Sequence, residues 1–242
     1  MLKSTENRIL VTVAARGGSK GVKNKNIRML CGIPLIAHTI IQVKKWGRAE
    51  KIVCSTDSTE IASIAKQYGA DVPFARPAKL ATDESGKMEV LRHALKAVEK
   101  KDGTIYPIIV DLDVTAPVRK LSDIDGALQL FLKNRPDTVF SVVPSRKNPY
   151  FNMVEVNSEG FAALSKKLNS SIKCRQNAPK VFDMNASIYV YDRSYLIDDA
   201  HSTPISDRSL AFVMDELSAF DIDSELDFQF IEFLVSRGVV TL

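Results

Sequence analysis

At 242 residues the chain is long enough to bury one sizeable core, and 45% hydrophobic with 26% charged residues argues against disorder and against a membrane protein. A balance of 33 Lys and Arg against 29 Asp and Glu leaves a net charge of +4, too small to imply a nucleic-acid binder by itself. Cys31, Cys54 and Cys174 show no C-x-x-C spacing, and His38, His93 and His201 are scattered, so neither a disulfide framework nor a histidine metal box is expected.

The start, "MLKSTENRIL", lacks the apolar core and cleavage site of a signal peptide, and no apolar run approaches the roughly 18 residues of a membrane span. A cytoplasmic protein with no membrane partner is the expectation. "RILVTVA" (residues 8–14) is a β-branched apolar run of strand length that stops at glycine. After a basic loop, Pro34 sits where a helix begins, and "PLIAHTIIQVKKW" keeps helical spacing until Gly47. "KIVCS" is a second strand. In "DSTEIASIAKQYG", Asp57 and Glu60 have capping-box spacing and Gly69 is the stop.

A third short strand is expected near Asp71–Phe74, followed by a loop and the amphipathic helix "KMEVLRHALKAVEK". "TIYPIIVDLDV" is nearly continuously apolar, as a strand buried on both faces requires. The helix "SDIDGALQLFLKN", with Ser122 and Asp125 as its capping pair, leads to the strand "DTVFSVV". Such alternation predicts an α/β fold with a doubly wound, mostly parallel sheet.

The rhythm breaks over residues 145–180, where short strand-like pieces, "YFNMVEV" and "GFAAL", predict a small inserted segment. "NASIYVY" and "LAFVMD" restore strands, and "SELDFQFIEFLVSRG" is a closing helix capped by Ser224 and ended by Gly238. With no internal repeat or Pro/Ser-rich linker, residues 1–242 read as one domain carrying that insertion.

Charge is unevenly distributed. Lys3, Arg8, Arg16, Lys20, Lys23, Lys25 and Arg28 face only Glu6 in the first 28 residues, whereas residues 198–227 hold nine carboxylates and one arginine. A basic end and an acidic end suit a metal-bound polyphosphate between them. "GGSKGVKNK" follows the first strand, at the sheet edge where ligands bind in open α/β folds. Its glycines let N–H groups approach phosphate oxygens while arginine and lysine neutralise them. It fits neither G-x-x-x-x-G-K-[ST], because Val22 follows Gly21, nor G-x-G-x-x-G.

"DID" at Asp221 to Asp223 is the acidic counterpart. Strand alternation would put both carboxylates on one face and turn Ile222 inward, a pair suited to Mg²⁺; the same residues would also serve the dipole of the following helix. Asp111 and Asp113, at the end of a central strand, form a second candidate pair.

"AARGGSKGVKNKN" resembles the A-R-x-x-S-K-G-x-x-x-K-N signature of the acylneuraminate cytidylyltransferases, with Ala15, Arg16, Ser19, Lys20, Gly21, Lys25 and Asn26 at motif positions. The resemblance continues, in the family's order, through "STD" (55–57), "RPAKLATD" (76–83), "TAPVR" (115–119), "RQNAP" (175–179) and "AFDIDSELDF" (219–228). "LDVTAPVR", "RKNPYFN" and "DMNASIY" are most similar to the branch that activates legionaminic acid, a nine-carbon relative of sialic acid.

The resemblance implies a nucleotidyltransferase fold and attack of a sugar's anomeric hydroxyl on the α-phosphate of CTP, with pyrophosphate leaving. It implies nucleotide contacts from Ala15, Arg16, Gly18, Ser19, Lys20, Lys25 and Asn26, Arg76 at the cytosine, and Lys87 where relatives commonly carry serine. Arg16 and Lys20 would neutralise the triphosphate, Asp221 and Asp223 would hold Mg²⁺, and Asp221 would help remove the hydroxyl proton. The nine-carbon α-keto acid sugar would meet Arg175, Gln176 and Asn185. Asp113, where many relatives have glutamine, would contact the sugar or hold a second Mg²⁺. Asp183, Met184 and Ala186 depart from the family's usual R-P-N-G around Asn185, removing a positive charge beside the sugar. The resemblance also implies a homodimer paired through the inserted segment. The alternatives are a cytidylyltransferase for another sugar, such as 3-deoxy-manno-octulosonate or a sugar 1-phosphate, and a non-catalytic nucleotide- or RNA-binding module. Unbridged carboxylates beside a phosphate site argue against the latter, so no nucleic-acid partner is expected.

Overall fold

A computed structural model describes residues 8–168 and 174–242. Lys3, Glu6 and residues 169–173 of the predicted insertion therefore lie outside the described residues. The strands are β1 (Ile9–Ala14), β2 (Met29–Leu30), β3 (Ile33–Pro34), β4 (Lys51–Ser55), β5 (Ile108–Leu112), β6 (Thr138–Pro144), β7 (Val154–Val156), β8 (Ala162–Leu164), β9 (Phe182–Asp192) and β10 (Ser209–Val213). The α-helices are α1 (Leu35–Trp46), α2 (Thr59–Tyr68), α3 (Lys87–Asp102), α4 (Leu121–Asn134), α5 (Arg193–Ile197) and α6 (Glu225–Ser236). Among the described residues, no helix is long and apolar enough to cross a membrane.

Six strands form the main sheet in the order β10-β6-β9-β5-β1-β4. The β1–β4, β1–β5 and β10–β6 pairs are parallel, and β9 runs antiparallel between β5 and β6. The mostly parallel sheet expected from the alternation of strands and helices is therefore present, with one reversed interior strand that follows the insertion.

Period-two alternation decides what each face carries. Ile9 and Val11 of β1 and Ile108, Val110 and Leu112 of β5 pack with Val43 of α1 and with α4, while Val13 joins α1, α2 and α6. Leu10 and Ile109 point the other way, onto Leu91 and Leu95 of α3 and onto Tyr195 and Leu196 of α5. Helices thus cover both faces, as a doubly wound fold requires. Each such fully buried side chain contributes about 1.5–3 kcal/mol.

Several local readings change. α2 is capped by Ser58, whose Oγ accepts from Ile61 N at 3.3 Å, rather than by an Asp57/Glu60 box. Asp57 lies one residue too early and accepts instead from Gly17 N at 2.9 Å. At α4 the backbone N–H of Lys120 donates to Asp123 at 2.8 Å, while Asp125, expected to pair with Ser122, accepts from Arg48 and Trp46 of the neighbouring helix and its exit. The strand expected at Asp71–Phe74 is reduced to a single bridge between Val53 and Asp71. The expected stop of α2 at Gly69 and the cap of α6 at Ser224 are both present.

The described residues between β6 and β9, 145–168 and 174–181, leave the sheet, and β7 and β8 form a separate hairpin in this excursion. Its apolar side chains are exposed: Val154 by 57%, Val156 by 63% and Phe161 by 70%.

Candidate active site

The first strand ends at Ala14, and the loop after it is held open by its own polar groups and those of neighbouring elements. Asn26 is buried and donates to Arg16 O at 2.9 Å, and Asp57 fixes Gly17 N, so the glycine-rich turn is tethered at two points. Gly18 adopts φ +68°, a left-handed conformation that glycine enters without steric cost. Gly21 is required for a different reason. A Cβ there would lie 2.0 Å from the backbone oxygen of Asp223, so the basic loop rests directly on the acidic segment.

That segment is not a strand; it is an irregular approach to α6. Ile222 is nonetheless fully buried, as expected, and its N–H donates to Thr115 O at 2.9 Å. The Lys25 ammonium donates to Ile222 O and lies 3.4 Å from Asp223 Oδ1. Arg28 adds a bidentate pair to Glu225 at 2.5 and 2.7 Å. Residues almost 200 positions apart are thereby brought together.

One pocket of about 290 Å³ is lined by Ala15, Arg16, Ser19, Lys20, Lys25 and Asn26 on one side and by Asp113, Thr115 and Asp223 on the other. Gly18 lines a small adjoining recess with Ser58 and Glu60. Arg16 and Lys20 both pair with Asp83, which joins their charges as a phosphate oxygen would. Hydrogen bonds from Lys20 and Arg16 hold the Asp83 carboxyl below its ordinary pKa. Asp83 lies in "RPAKLATD", and an acid at the end of a basic-to-apolar loop carries no local sign of that role.

Asp221 is half-buried, and its Oδ1 is a buried acceptor with no hydrogen-bond partner. Burial raises its pKa, with Asp113 and Asp223 adding to the effect and Thr115 and Lys25 opposing it. Asp223 is exposed. Asp221 is not among the residues lining that pocket, whereas Asp223 is; an orphaned hard oxygen beside this second carboxylate fits an ion such as Mg²⁺ that takes one or two protein carboxylates and completes its shell with other oxygen ligands. Among the described residues, no group of three or more His, Cys, Asp or Glu side chains is arranged to hold a metal, so an all-protein cage is not formed.

Asp111 lies within β5. It points to the α3 face, is 1% exposed, accepts from Thr12 Oγ1 at 2.7 Å and pairs with Lys87 at 3.0 Å. Asp113 meets the same ammonium at 3.0 Å and accepts from Thr115 N and Oγ1 at 3.1 and 3.0 Å. Burial would raise the Asp113 pKa, but Lys87 and Thr115 outweigh it and hold the group below the ordinary value. Beneath them Arg119 is buried and donates to Asp113 O at 2.5 Å, Thr39 Oγ1 at 2.9 Å and Gln42 Oε1 at 2.9 Å. Its burial lowers the guanidinium pKa to about 10.

The remaining expected residues lie outside this pocket lining. Arg76 is buried, with Nε donating to Ser55 Oγ at 3.1 Å and a second donor on Ser55 O. Arg175 and Gln176 line a separate cavity of about 770 Å³ with Ser145, Asn148 and Phe182, where Arg175 donates to Ser145 O at 2.9 Å. Asn185 is buried, accepts from Ser141 Oγ at 2.6 Å and donates to Ser218 O at 2.9 Å.

Residues 10–224 match the family described as "Cytidylyltransferase", and the chain belongs to that family of nucleotidyltransferases. It is 46% identical over 228 residues, 94% of this chain and 95% of the relative, to CMP-N,N'-diacetyllegionaminic acid synthase of Campylobacter jejuni. It is 45% identical over 229 residues, 95% of both chains, to post-translational flagellin modification protein B of Campylobacter coli. The fold matches a CMP:2-keto-3-deoxy-manno-octonic acid synthetase complexed with CTP, with a TM-score of 0.69 at 16% identity, covering 96% of this chain and 99% of that one.

Two outcomes follow from the geometry. Gly21→Ala should separate the loop from Asp223 and lower kcat/KM for cytidylyl transfer about 100-fold with unchanged far-UV circular dichroism, because a 1 Å misplacement has that order of effect. An unimpaired variant would show that the two segments need not touch. A carboxyl whose pKa is higher folded than unfolded penalises the fold above that folded pKa, and the penalty vanishes below the unfolded value. In EDTA, Asp221→Asn should therefore raise the melting temperature at neutral pH, and the gain should disappear as the pH falls below the usual carboxylate range. A lowered melting temperature at neutral pH would contradict this.

Proposed function

We propose that this chain couples CTP to the anomeric hydroxyl of a nonulosonic acid, legionaminic or N-acetylneuraminic acid, giving the CMP-sugar and pyrophosphate. The observation that carries the reading is the single pocket in which the basic loop after β1 faces Asp223 and Asp113. Charges of both signs around one cavity suit a metal-bound triphosphate and would repel a bare one. The choice of legionaminic acid draws on the 46% identity to the synthase for its diacetyl form.

Arg16 and Lys20 leave Asp83 for the β- and γ-phosphates, exchanging one anion for another without moving the backbone. N–H groups of Gly18 and Ser19 and the Ser19 hydroxyl accommodate phosphate oxygens, with Lys25 and Asn26 fixing the loop that presents them. Cytosine lies toward Arg76. Asp221 and Asp223 would hold Mg²⁺, which supplies charge neutralisation at the reacting phosphate when bound. The anomeric oxygen forms a bond to the α-phosphorus, the bond to the bridging oxygen of pyrophosphate breaks, and the hydroxyl proton passes to Asp221. Burial raises the affinity of Asp221 for a proton, as a general base requires. Most of the rate enhancement comes from positioning and charge, as in other transfers at phosphorus.

Residues 1–242 would act as one catalytic domain, with the insertion over 145–180 pairing two copies. The exposed Val154, Val156 and Phe161 of its hairpin support that pairing. Arg175 and Gln176, in the cavity at the base of the same excursion, would meet the sugar.

Pyrophosphate release should be measured with CTP, Mg²⁺ and separate legionaminic, N-acetylneuraminic and 3-deoxy-manno-octulosonic acids, with the CMP-sugar identified by mass. Turnover with a nine-carbon acid, lost in Arg16→Ala by two or more orders of magnitude, is expected from the loss of one phosphate donor, worth about 3 kcal/mol. Preference for the eight-carbon acid would change the substrate, and tight RNA binding without turnover would overturn the enzyme reading.

A further inference from the structure

Behind the pocket wall lies a second carboxylate pair, Asp113, which lines the pocket, and the buried Asp111, and the structure gives that pair its own cation. The Lys87 ammonium, at the first turn of α3, lies 3.0 Å from Oδ2 of Asp111 and 3.0 Å from Oδ2 of Asp113. It also sits 4.3 Å from the centroid of the Tyr189 ring, which stacks on Tyr191 at 6.0 Å and 9°. The ammonium thus hydrogen-bonds Asp113, makes an ion pair with Asp111 and rests on an aromatic face, so its charge is engaged on three sides.

The carboxylate oxygens are committed to protein groups by hydrogen bonds or by the ion pair. Oδ1 of Asp111 accepts from Thr12 at 2.7 Å, Oδ1 of Asp113 accepts from Thr115 at 3.0 Å, and both Oδ2 atoms face Lys87. Three of the four oxygens therefore accept a hydrogen bond from the protein, and the fourth, Oδ2 of Asp111, has no hydrogen bond but lies in ion-pair contact with Lys87 at 3.0 Å. Asp221 Oδ1 likewise has no hydrogen bond, but among the described residues no ammonium or guanidinium lies in ion-pair contact with it as Lys87 does with Asp111. A divalent ion entering between Asp111 and Asp113 would have to expel an ammonium anchored by two charges and a ring, and while the ammonium stays it repels a second cation.

We propose that Lys87 is the resident cation of the Asp111–Asp113 pair, so that this pair recruits no divalent ion and the ion of the pocket is left to Asp221 and Asp223. The inference rests on the cytidylyl-transfer reading and deepens it: the charge that a second ion could bring to this side of the pocket is built into the chain. Lys87 acts as a positioning residue. It fixes the Asp113 carboxylate that lines the phosphate pocket and does not touch the base.

The test counts Mn²⁺ ions bound per protomer by electron paramagnetic resonance, in the full chain with and without a non-hydrolysable α,β-methylene analogue of CTP. Lys87→Ser should bind one more Mn²⁺ than the wild type, Lys87→Arg should not, and the gain should vanish when Lys87→Ser is combined with Asp113→Asn. Should Lys87→Ser fail to fold, Asp113→Asn alone decides: an unchanged count supports the proposal. Loss of an ion in Asp113→Asn, or no gain in a folded Lys87→Ser, overturns it. Failure of the analogue to bind would contradict the cytidylyl-transfer reading instead and leaves the nucleotide-free comparison of Lys87→Ser with wild type valid.

Discussion

The contact between Gly21 and the backbone of Asp223 sets the distance across the pocket. A loop carrying Arg16, Lys20 and Lys25 can lie against a segment carrying Asp221 and Asp223 only because residue 21 has no side chain. Opposite charges then hold what the missing Cβ permits: Lys25 on Ile222 O, and Arg28 on Glu225 with its guanidinium 4.1 Å from the Phe228 ring. Exposed pairs of this kind contribute at most about 1 kcal/mol each, so the buried packing of Ile222 and Phe228 carries most of the docking energy and the charges fix its register. A site for a charged ligand is thus anchored by apolar contacts behind it.

The faces of the central sheet divide the work. On β5 the side chains of Ile108, Val110 and Leu112 fill the core under α4, whereas Asp111 turns to the α3 face and meets Thr12 and Lys87. Asp113, two residues on, leaves the strand and is held by Thr115 and Arg119 at the pocket wall. One strand therefore supplies both a core and a chemically distinct rim, because period-two alternation and the strand end separate them. Arg119 links the two layers, buried among Thr39, Gln42 and Ser187 while gripping the Asp113 carbonyl.

Much of this was legible in the sequence. The β1 run, the glycine stops and the apolar β5 stretch identified the alternating fold, because each records a local physical demand: burial, left-handed backbone, or both. The uneven charge identified a basic loop and an acidic segment as opposite walls. What was not legible depends on distance in space. The Asp57/Glu60 spacing looked like a cap, yet Asp57 is drawn to Gly17, and Ser58 caps the helix. Asp83 and Lys87 belong to the same stretch after Arg76, but only the fold reveals that one bridges Arg16 and Lys20 while the other neutralises Asp111 and Asp113. Alternation was right about Ile222 for the wrong reason, since burial against the core turns it inward without any strand.

On the proposed function, a triphosphate and one divalent ion would fill the gap between loop and acidic segment. A crystal structure with Mg²⁺ and the α,β-methylene analogue of CTP addresses it directly. Arg16 and Lys20 are expected on the terminal phosphates, released from Asp83, with one ion at about 2.1 Å from carboxylate oxygens of Asp221 and Asp223 and from a phosphate oxygen. A triphosphate bound elsewhere, with the Asp83 bridge intact and no ion on Asp221, would contradict it.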